Sequence, residues 1–114
     1  MRSDAATPCD LVAACLRVIE YVRTASRSDL DRDNQLCSAC CWQIAVIGEA
    51  AKRVSPTLRV KHPEVPWKDI AGMRDRLIHG YDSVDLDELW KTASADIPAL
   101  LEQVRTILAI DFGQ

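Results

Sequence analysis

Arg74, His79 and Tyr81 stand within eight residues of one another in the run Arg74-Asp75-Arg76-Leu77-Ile78-His79-Gly80-Tyr81. Together they supply a permanent cation, a group that titrates near neutrality and a phenol. That set suits a phosphodiester. Metal-free cleavage of RNA needs a base for the ribose 2′-hydroxyl proton or an acid for the leaving oxygen, and a cation for the charge that develops on phosphorus. Imidazole, with an ordinary pKa of about 6.5, suits the proton transfers. The planar guanidinium of arginine matches phosphate oxygens and keeps its charge. No other stretch of the chain has comparable chemical content.

Spacing constrains how these groups can meet. At roughly 100° per residue, Arg74 and His79 lie about 140° apart on an ideal helix and do not share a face. Arg76 and His79 lie about 60° apart and do. Arg74 can join His79 if the helix unwinds near Gly80 or if the long arginine reaches round. A two-fold dimer that brings two copies of the cluster into one cleft is a further route. The competing reading is structural: a histidine before a glycine at a helix end can cap the last carbonyls.

The elements that must position the cluster read as helices. Leu11, Ala14, Cys15, Val18, Ile19 and Val22 form one apolar stripe, so a helix is expected over about 8–25, with Thr7 as cap and Pro8 in its first turn. A polar loop or single helical turn follows over 26–34. Leu36, Cys40, Ile44, Ile47 and Ala51 mark a second helix over about 34–54, stopped by Ser55-Pro56. Its apolar circumference is wide, as for a helix in the middle of a bundle. One turn is expected over about 56–60 and a shorter motif helix over about 66–78. Asp85 and Glu88 form a capping-box pattern that opens a final helix of about six turns. There Pro98 frees the carbonyl of Ser94 and predicts a kink rather than a stop. No segment alternates with period two. The expected fold is all-α, an antiparallel bundle of about four to five helices with a kinked C-terminal helix. It forms one domain over 1–114 with its core at about 8–110.

Composition narrows the function classes. Fourteen Lys and Arg against seventeen Asp and Glu give a net charge of −3, which argues against a general nucleic-acid binder but leaves room for a local basic cleft. No apolar run approaches the roughly 20 residues of a membrane span, and Met1-Arg2-Ser3-Asp4 lacks a signal-peptide pattern, so a cytoplasmic protein is expected. Its five cysteines are then free thiols. Cys37, Cys40 and Cys41 lie inside an apolar helical pattern without a second ligand pair, and read as small core residues rather than a zinc site. Neither metal nor cofactor is expected.

The ordered motifs resemble the HEPN superfamily, specifically its HepT-like branch. Arg74, His79 and Tyr81 fit an Arg-x4-His-x-Tyr pattern. Ile47-Gly48-Glu49-Ala50-Ala51-Lys52 resembles the family's second-helix signature, and Pro63-Glu64-Val65-Pro66-Trp67 its lead-in to the motif helix. Ile70-Ala71-Gly72-Met73-Arg74, Val84-Asp85-Leu86 and Asp96-Ile97-Pro98-Ala99-Leu100 flank the motif in the family's order. The likeness covers roughly 10–108. It implies a homodimeric, metal-independent ribonuclease toxin of a type II toxin–antitoxin pair, with the motif at the subunit interface and mRNA or tRNA as substrate. Arg74 and His79 would be the catalytic pair, with Asp75, Arg76 and Glu49 as supporting residues. The implied partner is an MNT-type nucleotidyltransferase antitoxin that transfers AMP to Tyr81. Asp75 departs from the asparagine common at that position. It opens a second reading, a non-catalytic helical partner or substrate of the nucleotidyltransferase.

Other residues read more plainly. His62, in a basic connector between prolines, is expected to be solvated. Trp67 should pack the start of the motif helix, and Trp42 and Trp90 should lie in the core or a dimer interface. Arg53, Arg59 and Lys61 read as a solvated face or an RNA-guiding edge.

Overall fold

The computed structural model describes residues 6–80 and 83–114. Its elements are α1 (Ala6–Val22), α2 (Asp29–Arg32), α3 (Asn34–Lys52), α4 (Pro56–Lys61), α5 (Trp67–Ala71), α6 (Met73–Leu77), α7 (Leu86–Lys91), a π-helical turn (Thr92–Asp96) and α8 (Ile97–Phe112). The protein is an all-α bundle, with no strand among the described residues. An isolated antiparallel bridge joins Ile78 to Val84.

The apolar stripes do what their periodicity requires. Leu11, Ala14, Cys15 and Val18 of α1 are fully buried against Cys40, Ile44, Ile47 and Ala51 of α3, and Ile97, Leu100, Val104 and Ile107 of α8 complete the core. α1 packs on both α3 and α8, and α3 packs in turn on α5 and α6. The long helices are the frame, and α3 is the wall on which the motif helix rests.

Caps set several boundaries. Asp33 accepts from the Leu36 N–H at 3.0 Å and starts α3, and Ser55 accepts from Leu58 to start α4. Asp85 accepts from the Glu88 N–H at 3.0 Å, but its own N–H goes to the Leu77 carbonyl at 2.8 Å. Half of the expected capping box therefore forms, and the other half is replaced by a tie to the motif helix. α1 already includes Ala6, so Thr7 is not its cap but a buried residue within the helix.

Pro98 sits in the first turn of α8, directly after the π turn. There the Ile97 N–H reaches back to the Thr92 carbonyl, an i→i−5 bond. The ladder widens by one residue just before the proline that cannot donate to it. The Ser94 hydroxyl adds a bond to the Trp90 carbonyl at 2.6 Å.

Two expectations about individual residues are corrected, those for His62 and Arg59. His62 is 5% exposed rather than solvated. Of the two readings of Trp42, core or dimer interface, its 68% exposure excludes the core. Arg59 donates to the Ala51 and Val54 carbonyls at 2.5 and 3.2 Å and closes the C-terminus of α3, while Lys61 pairs with Asp111. Arg59 is thus committed to the fold, while the Lys61 side chain remains exposed, as on a solvated face. Trp67 is buried as expected, with its indole N–H on the His62 carbonyl at 3.0 Å.

Candidate functional site

The motif helix is short because its sequence interrupts it twice. Gly72 divides α5 from α6, and α6 ends at Leu77 rather than running to Ile78. Met73 and Leu77 point into the core at 3% and 1% exposure. Arg74, Asp75 and Arg76 between them must then face outward, and all three are exposed.

After Leu77 the chain becomes extended at Ile78, pairs with Val84, and sends the His79 N–H to the Ser83 carbonyl at 2.8 Å. Gly80 takes φ 80, a left-handed conformation open to glycine without a Cβ clash. The helix thus ends before His79, and the ideal-helix angle between Arg74 and His79 no longer applies.

The histidine is not a helix cap. The Arg74 and Leu77 carbonyls are taken by the backbone N–H groups of Ile78 and Asp85, at 3.0 and 2.8 Å. The His79 imidazole is exposed and has no hydrogen-bond partner among the described residues. Its backbone is pinned by the turn while its ring is free. Tyr81 lies outside the described residues.

Arg74 and Arg76 part company. Arg74 is half exposed, and its one ion pair among the described residues is with the adjacent Asp75 at 3.4 Å. An exposed pair of this kind contributes about 0–1 kcal/mol, so the guanidinium is free to change partners. It lines a cleft of about 320 Å³ with Ala45, Gly48, Glu49, Lys52, Ala71 and Asp75. Gly48 explains the closeness of the walls: a Cβ there would stand 3.2 Å from the Ala71 carbonyl oxygen. Glu49 faces the same cleft but pairs with Lys52 at 3.1 Å rather than with Arg74. Arg76 instead donates to the Asp69 carbonyl at 3.0 Å and lies 4.0 Å from Glu88. It faces a separate cleft of about 720 Å³ between α5–α6 and α7–α8. The structure brings Arg74, Asp75 and Glu49 together and sends Arg76 elsewhere.

The other histidine belongs to a different kind of arrangement. His62 Nε2 meets Asp111 of α8, and Nδ1 meets Glu64 at 3.1 Å. The hydrogen bond to Asp111 is the main cause that holds the imidazole pKa above its ordinary value, with Glu64 adding to it and burial opposing. Asp111 is held below the usual carboxylate range, first by Lys61 and then by His62. Sequence reading missed this cluster because Asp111 lies 49 residues from His62. No local pattern announces such a pair.

Two of the cysteines, Cys15 and Cys40, are core packing residues. Both are fully buried. Burial pushes the Cys15 thiol up to about 12 and Cys40 to about 11. Among the described residues no group of His, Cys, Asp or Glu side chains is placed to hold a metal ion, and no helix is long and apolar enough to cross a membrane.

The fold and site define an all-α bundle that presents an arginine on a short helix and a histidine on the turn after it. Within that class the chain belongs to the HepT-like ribonuclease family. The family model described as "Ribonuclease HepT-like" matches residues 11–107. A protein of Caldanaerobacter subterraneus subsp. tengcongensis named as a putative RNase is 42% identical over 98 residues, covering 86% of this chain and 88% of that one. A protein of Thermococcus cleftensis named as a probable ribonuclease HepT is 38% identical over 91 residues, covering 80% and 83%. One from Methanocaldococcus jannaschii, also named as a putative RNase, is 31% identical over 99 residues, covering 87% and 85%. No solved structure matches the chain significantly.

Proposed function

We propose that this protein is a metal-independent endoribonuclease toxin of a type II toxin–antitoxin pair, with Arg74 and His79 as its catalytic pair. The observation that carries the reading is the state of His79: exposed, without a side-chain partner among the described residues, on a turn whose backbone is fixed by the bond to Ser83. A histidine held for structure would have its ring nitrogens satisfied, as His62 has.

In this reading the imidazole takes the proton of a ribose 2′-hydroxyl. The 2′-oxygen then attacks the adjacent phosphorus, the bond to the 5′-oxygen breaks, and that oxygen leaves with a proton. The products are a 2′,3′-cyclic phosphate and a 5′-hydroxyl. Arg74 neutralises charge on the phosphorane oxygens, where a guanidinium acts more strongly than on the ground-state diester. One histidine serves one of the two proton transfers. A homodimer with the motif at its interface supplies the second histidine, which makes the acid and base a pair across the two-fold axis.

Control follows from the same chemistry. An MNT-type nucleotidyltransferase antitoxin would transfer AMP from ATP to the Tyr81 phenol oxygen, releasing pyrophosphate. The added phosphate would stand two residues from His79 and put negative charge where RNA phosphate must bind. A cytoplasmic location and an mRNA or tRNA substrate go with this reading.

One observation favours the alternative, a non-catalytic binding partner or substrate of the nucleotidyltransferase. The Asp75 carboxylate sits on the Arg74 guanidinium and competes with phosphate for it. The deciding experiment is RNA cleavage in excess EDTA by wild type, Arg74→Ala and His79→Ala, after mass spectrometry shows Tyr81 unmodified. Cleavage lost in both variants supports the nuclease. No cleavage of total RNA or tRNA by unmodified wild type supports the binding partner.

A further inference from the structure

Trp42 is 68% exposed on a helix that is otherwise well packed. At roughly 100° per residue, Trp42, Glu49 and Arg53 fall within about 40° of one another and form the outer crest of α3. On one side of the crest, α1 and α3 enclose a groove of about 490 Å³, floored by Ala13, Ala45 and Ala50 and reached by Trp42, Arg17 and Arg53. On the other side lies the Arg74 cleft. The two share Ala45 and Glu49, so only a small side chain separates them at the end nearer Trp42.

The charges around this surface are unequal in their freedom. Glu49 is engaged by Lys52, and Asp10 has a partner of its own. The side chains of Arg17 and Arg53 are exposed and have no partner among the described residues. An acidic protein thus presents two unengaged cations, an exposed indole and a half-exposed arginine along one face. The 720 Å³ cleft on the other side of the motif helix is different. Its acids Glu64, Asp69, Glu88 and Asp96 outnumber the cations Arg76 and Lys91.

We propose that the Trp42 crest of α3 is a single-stranded RNA track: one base stacks on the Trp42 indole, Arg17 and Arg53 take phosphates, and the strand crosses at Ala45 into the Arg74 cleft. The proposal rests on the nuclease reading for its direction, toward Arg74. Stacking on an aromatic ring beside a basic groove holds single strands with little regard to sequence, because every base has a π-face. A paired base cannot reach the ring, so the track selects unpaired RNA. From Trp42 to Arg53 the helix rises about 16 Å, room for a few nucleotides. Trp42 is a positioning residue, remote from the proton transfers.

The test uses the full chain carrying His79→Ala, so that bound RNA stays intact. The probe is a short oligouridylate, with a duplex RNA of equal length as control. Trp42→Ala is expected to weaken single-strand binding about 5- to 100-fold, the loss of one base stack. Trp42→Phe should restore most of it, and duplex binding should not respond. Arg17→Ala with Arg53→Ala should reduce the slope of log affinity against log salt by about 1.4, roughly 0.7 per phosphate on a single strand. Single-strand binding unchanged in Trp42→Ala overturns the track. So does a Trp42→Ala protein that light scattering shows to have lost its dimer, with RNA affinity falling only in step: that face then belongs to a second copy. Cleavage by wild type together with Trp42-independent binding removes the track and leaves the nuclease reading. Trp42-dependent binding with no cleavage by wild type does the reverse.

Discussion

The two histidines of this chain show two opposite uses of one side chain. His62 is buried, with a carboxylate on each ring nitrogen, and it fastens the connector after α4 to the last turn of α8. His79 is exposed, with its backbone bonded and its ring free among the described residues. Both stand just past the end of a short helix, in polar surroundings. What separates them is whether a distant acid closes over the ring. A buried imidazole with both nitrogens engaged is committed to the fold, and a free one whose backbone N–H is bonded is available to a substrate.

The largest effect expected from this contrast is catalytic. His79→Ala should lower RNA cleavage by about 10²- to 10⁴-fold, the usual worth of a general acid or base, while the melting temperature stays within a degree or two. A fall in thermal stability comparable to that of a His62 variant would erase the contrast.

The mirror experiment is on His62. His62→Gln should lower the melting temperature by several degrees yet leave cleavage per folded molecule intact. It should also change how stability depends on pH. The folded-state pKa of His62 is raised, so its contribution is complete below the ordinary value of 6.5 and is lost as pH rises through the higher folded value. Asp111 is depressed from 3.8, so its contribution is present above that value and lost as pH falls through the lower one. Wild type should therefore be most stable between roughly pH 4 and 6.5. The decline above that window should flatten in His62→Gln. Chemical denaturation at several pH values reads this directly, and an unchanged profile would show that the clasp contributes no linkage.

Gly48→Val sharpens the comparison from the fold side of the Arg74 cleft. Its branched side chain would meet the Ala71 carbonyl region, where even a Cβ stands at 3.2 Å. The expected cost is about 1–3 kcal/mol of stability. Cleavage should fall as well, because α5 and α6 must move off α3 and carry Arg74 with them. Stability lost with full activity would mean that the cleft does not position Arg74.

The smallest effect is at Asp85. Asp85→Ala removes the cap of α7 at a cost of about 1 kcal/mol, and leaves the Asp85 N–H on the Leu77 carbonyl in place. A cost near zero in urea denaturation would show that the backbone tie alone sets the start of α7.

Much of the fold could be read locally. The stripes of α1, α3 and α8 announce their buried faces, since a 3.6-residue period leaves an apolar stripe one place to go. Asp85 announces a helix start through its own hydrogen bond, whereas Ser55, which reads as the stop of α3, turns out also to cap α4. The break at Gly72 and the early end at Leu77 were not legible, because the apolar positions Trp67, Ile70, Met73 and Leu77 keep helical spacing through both. Pro98 was legible as a disturbance, but not as a π turn, which depends on how the preceding turn packs. Trp42 lies on a helical stripe and reads as core or dimer interface. Its exposure depends on how α1 is placed beside α3.

The sequence by itself determined the helices, the family and the motif, because propensity, periodicity and spacing act over a few residues. Tertiary structure alone decided which of two arginines two residues apart faces α3, which of two histidines is sealed by an aspartate, and which tryptophan is left in solvent. Those outcomes rest on contacts between residues far apart in the chain, and no local pattern carries the free energy that selects them.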